Sequence, residues 1–233
     1  MENKPLNLTS LKGKIIAIDG PAGSGKSTTS KHLAARLGFT YLDTGAMYRA
    51  LTYYALKNNV PFSDGEKLTK LAQILPIEFK TTAEVNRVFL NGIEVTDEIR
   101  DPEVTKNASE VAAHKGVREA MVKKQKAFGK KGSIVAEGRD TTTVVFPNAD
   151  VKIYLNASVE ERAQRRLLDL MKMGITTTLQ ELQDDIIQRD FKDSSREHSP
   201  LTKAKDAFLV DTSNMTFEGQ IDHIINLIRS VLK

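Results

Sequence analysis

The residues best suited to chemistry form a glycine-rich stretch near the start of the chain. This stretch matches the pattern G-x-x-x-x-G-K-[ST] and consists of Gly20, Pro21, Ala22, Gly23, Ser24, Gly25, Lys26 and Ser27. Glycines let successive backbone N–H groups face phosphate oxygens, and a following helix adds partial positive charge. Lys26 can bind the β- and γ-phosphates, and the Ser27 hydroxyl can ligate Mg²⁺. The stretch, extended to Thr28, therefore predicts a nucleoside triphosphate site but does not identify the phosphate acceptor.

A second set of candidate residues consists of arginines in polar stretches. They are Arg49, Arg139, Arg162, Arg165, Arg166, Arg189 and Arg196. Guanidinium groups bind phosphate in a forked geometry, and an enzyme that joins two phosphates must neutralise both. Taken alone, the group at 162–166 is equally compatible with an ordinary helix surface. For three other arginines a surface salt bridge is the favoured interpretation, namely Arg87, Arg100 and Arg229.

Other classes of nucleotide-binding protein fit the sequence less well. The chain has neither N-K-x-D nor D-x-x-G, which GTPases use. The strand predicted at 133–136 is followed by Glu137, a poor match to the Asp-terminated strand of mechanical ATPases. The loop type excludes protein kinases. A small-molecule kinase is therefore favoured.

Composition limits the remaining possibilities. The chain has 233 residues and no cysteine, which excludes disulfides and thiolate metal sites. A net charge of +4 is compatible with an anionic ligand but is too small to indicate nucleic-acid binding. The lysine-rich stretch at 123–131 favours a solvated helix face. No apolar run could span a membrane, and residues 1–12 lack a secretory pattern, so we expect a cytoplasmic location.

The hydrophobic pattern predicts alternating strands and helices. Strands are expected at 14–19, 39–42, 133–136, 151–155 and 208–211, and helices at 26–37, 46–57, 159–172, 179–189 and 217–232. A helix at 66–75, strands at 77–82 and 87–95, and an Asn91-Gly92 turn predict a small antiparallel insertion. Residues 102–130 indicate two helices broken near 115–116. These elements predict an α/β fold, in three αβα layers around a parallel sheet.

Several stretches together resemble bacterial cytidylate kinases, a family of nucleoside monophosphate kinases. They are IAIDGPAGSGKST at 16–28, LDTGAMYRA at 42–50, AEGRDTTTVVFPNADVKIYLNAS at 136–158, ERAQRR at 161–166 and RDFKDSSREHSPLTKAKDA at 189–207. The first is common to many P-loop enzymes, and the others taken together are specific to this family. The resemblance implies one kinase domain over 1–233, with a core at 14–59, 102–157 and 190–233, a monophosphate-binding insertion at 60–101 and a helical lid at 158–189.

The resemblance also implies roles for individual residues. ATP would lie on the glycine-rich loop, with lid arginines at Arg162 and Arg166 and a further candidate at Arg165. Arg49, Arg139 and Arg189 would hold the acceptor phosphate, with Arg196 near the phosphates being joined and Asp193 on the ribose. Cytosine would be read by Ser109, Arg118 and Asp140, while Thr44 and Glu137 have supporting roles. The implied catalytic set is Lys26, Arg139, Arg189 and Arg196.

The implied reaction is Mg²⁺-assisted phosphorylation of CMP and dCMP by ATP. A carboxylate can accept from the cytosine N4 amino group, and an arginine and a hydroxyl can serve its acceptors. Two alternatives stay open, namely a kinase for another monophosphate and a regulatory or RNA-associated protein that binds ATP without transferring phosphate. We expect a monomer that acts on small nucleotides.

Overall fold

The computed structural model describes residues 11–81, 86–130, 132–172 and 174–232. Residues 1–10, the last residue of the strand expected at 77–82, and Lys131 of the lysine-rich stretch lie outside this part of the chain. Among the residues described, no helix combines the length and apolar character needed to cross a membrane.

Strands and helices alternate along most of the chain. The strands are β1 (Ile15–Asp19), β2 (Thr40–Asp43), β3 (Ile77–Thr81), β4 (Asn86–Leu90), β5 (Ile93–Glu94), β6 (Ile134–Gly138), β7 (Val151–Asn156) and β8 (Phe208–Asp211). The α-helices are α1 (Lys26–Leu37), α2 (Thr44–Lys57), α3 (Gly65–Ile74), α4 (Pro102–Val111), α5 (Lys115–Gly129), α6 (Val159–Lys172), α7 (Leu179–Ser195) and α8 (Phe217–Val231). A 3₁₀ turn at Glu98–Arg100 and a π-helical turn at Thr141–Val145 complete the set.

Five parallel strands form the central sheet in the order β2-β6-β1-β7-β8. Asp19 at the end of β1 is in register with Gly138 of β6 and Tyr154 of β7. The segments that follow β1, β2 and β6 therefore leave the same edge of the sheet. This register brings the glycine-rich loop, the start of α2 and Arg139 together.

Helices cover both faces of this sheet, which confirms the expected three layers. Ile16 and Ile18 of β1 pack with Leu33 of α1 and Ile224 of α8 on one face. Ala17 faces the other side, in the apolar cluster to which α5 contributes. The alternation of side chains along β1 thus supports two separate cores.

The expected antiparallel insertion is also present. Strands β3, β4 and β5 form a separate three-stranded sheet. Leu90 pairs with Ile93 across the turn, where Asn91 and Gly92 have φ values of 51° and 76°. Positive φ at both turn residues is the geometry for which Asn-Gly is favoured.

Apart from the break between the two helices of residues 102–130, two helix boundaries differ from the expectations by two residues or more. Helix α2 begins two residues early, since the Asp43 carboxylate caps it by accepting from the Ala46 N–H. Helix α7 continues to Ser195 rather than ending at 189. In its last turns Arg189 and Asp193 line a cavity, while Phe191, Lys192, Ser194 and Ser195 are exposed, so hydrophobic periodicity gives no sign of these turns.

The break between α4 and α5 lies at residues 112–114, ahead of the expected position. Gly116 lies inside α5, where a Cβ atom would come within 2.5 Å of Thr69 Oγ1 on α3. This glycine therefore permits close packing of two helices and does not interrupt one.

Candidate active site

The glycine-rich loop joins β1 to α1, as its sequence predicts. Gly23 and Gly25 have positive φ values of 75° and 84°, and α1 begins at Lys26 without a side-chain cap. The Lys26 ammonium group is buried and donates to Pro21 O at 2.5 Å and Ser24 Oγ at 3.3 Å. An uncapped helix N-terminus next to a buried cation is suited to binding phosphate.

A cavity of about 240 Å³ extends from this loop between the end of β6 and helices α2, α4 and α7. Eight cationic side chains line it, against four carboxylates. The cations are Lys26, Arg49, Arg100, Arg118, Arg139, Arg166, Arg189 and Arg196, and the carboxylates are Asp43, Glu137, Asp140 and Asp193. Such a surface favours a ligand with several negative charges.

Four of the cavity arginines lie beside a carboxylate. Arg49 contacts Asp43 at 2.7 Å, and Arg118 contacts Asp140. Arg139 and Arg196 lie 2.8 Å and 3.8 Å from Asp193. Burial raises the pKa of Asp193, but Arg139 and Arg189 more than offset this and lower it. Asp193 is therefore held as an anion between arginines.

The other four cations, Lys26, Arg100, Arg166 and Arg189, have no carboxylate within 4 Å among the residues that the structure describes. Burial and repulsion from Arg139 lower the pKa of Arg189 to about 10. Burial, with a further contribution from Arg139, also lowers the pKa of Lys26. A nearby anion would reverse both effects, because it stabilises the charged forms.

The far end of the cavity holds the three residues expected to read a base. The Arg118–Asp140 pair is buried, with side chains 4% and 5% exposed. The Arg118 guanidinium also lies 5.4 Å from the centre of the Tyr48 ring. Ser109 lines the cavity but donates to Asp193 at 3.2 Å. Ser109 is thus placed between the expected base and ribose sites.

The arginines of α6 separate into two kinds. Arg166 lines the cavity, whereas Arg162 is buried outside it and donates to Ala22 O at 2.9 Å and Asp190 at 2.6 Å. Arg165 donates to Glu161 and to Thr212. The structure therefore brings Arg166 to the expected phosphate site, while Arg162 binds the glycine-rich loop at Ala22 O, outside the cavity.

Thr44 and Glu137 lie where the loop meets the acceptor side of the cavity. Thr44 Oγ1 donates to Glu137 O at 2.6 Å, and the Tyr41 hydroxyl donates to Glu137 Oε1 at 2.6 Å. Burial, reinforced by Asp43, raises the pKa of Glu137. Of the remaining expected loop residues, Ala22, Gly23 and Ser27 line the cavity, whereas Thr28 is exposed on α1.

Sequence reasoning missed three residues of this site. Arg100 is exposed but lines the cavity, and it forms no salt bridge with a carboxylate among the described residues, contrary to the expectation. Asp43 both caps α2 and holds Arg49, and the Asp-Thr-Gly sequence at a helix start was an available signal for that cap. Asp190 accepts from the Ala22 N–H at 3.2 Å, a contact between distant segments that left no sequence signal.

Comparison with known proteins agrees with this geometry. The sequence profile described as cytidylate kinase matches residues 16–230. A cytidylate kinase of Bacillus cytotoxicus is 48% identical over 218 residues, covering 94% of this chain and 97% of the relative. A cytidylate kinase of Bacillus subtilis is 48% identical over 213 residues, covering 91% and 95%. An uncharacterised protein structure from Eubacterium ventriosum shares the fold, with a TM-score of 0.51, 13% identity and coverage of 94% and 99%. The chain belongs to the cytidylate kinase family.

Proposed function

We propose that this enzyme transfers the γ-phosphoryl group of ATP to CMP and dCMP, forming CDP and dCDP. The observation that carries the proposal is the run of cations from Lys26 on the loop to the buried Arg118–Asp140 pair. Cations along this run could neutralise two phosphorylated ligands, and its far end offers the groups that complement cytosine.

The triphosphate would lie on the loop and at the N-terminus of α1, with Lys26 and Arg166 on its terminal phosphates. Arg49, Arg139 and Arg189 would hold the monophosphate, because all three line the cavity and Arg189 has no carboxylate within 4 Å among the described residues. Arg196 lies 3.8 Å from Asp193 and close enough to the Arg118–Asp140 pair at the base end to interact with its charges. Asp193 would accept from a ribose hydroxyl.

Cytosine would be distinguished from uracil at Asp140. This carboxylate can accept from the N4 amino group of cytosine, whereas uracil presents a carbonyl oxygen there. A buried carboxylate left facing a carbonyl is unfavourable, so the pocket would reject UMP.

The transfer itself needs no side-chain base. The attacking oxygen belongs to the monophosphate, whose second pKa of about 6 leaves it largely ionised at neutral pH. The protein's contribution is then to position the two phosphates, neutralise their charge and exclude water.

The residues at the loop also suit Mg²⁺. Ser27 lines the cavity, and the Glu137 side chain interacts with it. These hard oxygen donors, together with nucleotide phosphates, fit the preference of this ion. When bound, Mg²⁺ would supply charge neutralisation at the β- and γ-phosphates.

We further propose that the insertion at 60–101 serves the acceptor site and that residues 158–189 act as a lid. Arg100 at the end of the insertion and Arg166 of α6 both reach the cavity, which supports this division. We also predict that the protein is a monomer, lies in the cytoplasm and binds no nucleic acid. Light scattering on a size-exclusion column would measure its mass and so test the first of these predictions.

An ADP-release assay with ATP and Mg²⁺, run against CMP, dCMP, UMP, AMP and GMP, tests the proposal. Fast turnover of CMP and dCMP alone is expected. Equal turnover of UMP would instead indicate a kinase with a different acceptor. ATP binding without any transfer, together with salt-sensitive RNA binding, would support the regulatory alternative.

A further inference from the structure

A buried carboxylate joins the ATP loop to the acceptor site from outside the cavity. Asp19 is the last residue of β1, directly before Gly20, and it is fully buried. Neither Asp19 nor its partners Thr141 and Thr142 line the cavity. These three residues are called the Asp19 clamp below.

Four hydrogen bonds form this clamp. Asp19 Oδ1 accepts from the Thr141 N–H at 2.9 Å and from Thr141 Oγ1 at 2.5 Å. Asp19 Oδ2 accepts from the Thr142 N–H at 2.7 Å and from Thr142 Oγ1 at 2.6 Å. Burial raises the pKa of Asp19, and these donors oppose that shift. Both carboxylate oxygens are thus engaged by a single turn of the chain.

That turn carries the residues expected to hold the acceptor. Thr141 and Thr142 open the π-helical turn Thr141–Val145 and directly follow Arg139 and Asp140. Arg139 borders the phosphate region, and Asp140 pairs with Arg118 at the base end. The position of both side chains therefore depends on where this turn is held.

We propose that the Asp19 clamp is a positioning device that fixes Arg139 and Asp140 relative to the ATP loop. Asp19 would act through these residues and would not touch either substrate. The inference rests on the proposed function, since it assumes that the two sites hold donor and acceptor. Phosphoryl transfer is sensitive to such positioning, because a misplacement of about 1 Å can lower the rate roughly 100-fold.

Substitution of the two hydroxyls by methyl groups tests the clamp. Thr141→Val with Thr142→Val removes the two hydroxyl hydrogen bonds to Asp19 and the longer contact of Thr141 Oγ1 with Ile18 O at 3.3 Å, and keeps the side-chain shape and both N–H contacts. Thr143→Val is the matched control, because Thr143 lies in the same turn and its buried hydroxyl makes no hydrogen bond with any described residue. Thr141→Ser with Thr142→Ser, the double serine variant, retains both hydroxyls and should therefore not show the defect.

We expect the double valine variant to lose roughly tenfold or more in kcat with CMP, while the Kd for ATP stays within about twofold. Thr143→Val and the double serine variant should keep nearly full kcat. If the double valine variant shows only a lower Tm, with kcat and KM for CMP unchanged, the clamp is merely structural and the proposal is wrong.

Amide hydrogen exchange gives a readout that does not require turnover. Residues 139–145 should exchange roughly tenfold faster in Thr142→Val alone than in the wild-type protein or in Thr143→Val. Unchanged exchange would overturn the clamp. Faster exchange in a protein that does not phosphorylate CMP would support the clamp and refute the proposed function instead.

Discussion

The substitution Asp140→Asn tests both the stability and the selectivity assigned to the base end. It keeps the shape of the side chain but removes the charge that faces Arg118 in a buried pair. Breaking such a pair from one side costs about 3–5 kcal/mol, because the remaining charge stays buried. Arg118 also donates to Ala112 O at 3.2 Å, so we expect the lower end, about 3 kcal/mol.

The effect on selectivity follows from the amide group. Asparagine can turn its carbonyl oxygen toward the cytosine amino group or its NH₂ toward the uracil carbonyl. The variant therefore loses one charge-assisted hydrogen bond to cytosine, of about 1.5–3 kcal/mol, and no longer penalises uracil. We expect the ratio of kcat/KM for CMP over UMP to fall by roughly 10- to 150-fold.

Urea unfolding followed by circular dichroism measures the stability, and the ADP-release assay measures the ratio. Asp222→Asn is the matched control, because Asp222 pairs with Arg36 at 3.1 Å and both side chains are exposed, at 66% and 54%. Its stability and selectivity should change little. An equal loss for CMP and UMP would refute base reading by Asp140, and a stability cost no larger than that of Asp222→Asn would refute the importance of the pair.

Three further predictions concern the charges along the cavity. Arg196→Ala should lower kcat roughly 100-fold or more while the Kd for ATP by calorimetry changes less than about threefold; unchanged turnover would remove Arg196 from the mechanism. Arg100→Ala should raise KM for CMP roughly tenfold and leave KM for ATP unchanged, with surface Arg87→Ala as the control, and an unaltered KM would return Arg100 to a surface role. Burial lowers the pKa of Lys26 from 10.5 to about 7. The unfolded chain then binds more protons between these values, so the unfolding free energy should rise with pH across that window relative to Lys26→Met; parallel pH profiles in urea titrations would contradict the shift.

The sequence was most informative where backbone geometry requires particular residues. The glycine-rich loop and the Asn91-Gly92 turn were predictable because few other residues adopt positive φ at low cost. The strand at 208–211 and the helices at 26–37 and 159–172 agree with the structure to the residue. In the helix at 26–37 the apolar residues Leu33, Ala34 and Leu37 are buried against the sheet, whereas Phe208 and Leu209 of the strand are exposed.

The same reasoning failed where polar residues face inward. Arg189 and Asp193 stand four residues apart on α7 and line the cavity. Because these inward-facing residues are polar, the apolar pattern stops before them, and the helix was expected to end at 189. Arg162 and Arg166 have the same spacing on α6, yet only Arg166 reaches the cavity. Spacing alone cannot separate such pairs, because the packing of the helix against the loop decides which side chain is enclosed.

Unpaired charge is the feature that separates this site from the rest of the scaffold. Surface arginines such as Arg36 and Arg87 lie beside exposed carboxylates, and such pairs contribute little to stability. Lys26 and Arg189 instead have no carboxylate within 4 Å in the part of the chain that the structure describes, and burial lowers their pKa values. Burial of these two cations costs free energy, and phosphates bound beside them would offset that cost. Because this stabilisation acts where the transferred group carries its charge, the cations whose burial is costly are the ones best placed to lower the barrier to transfer.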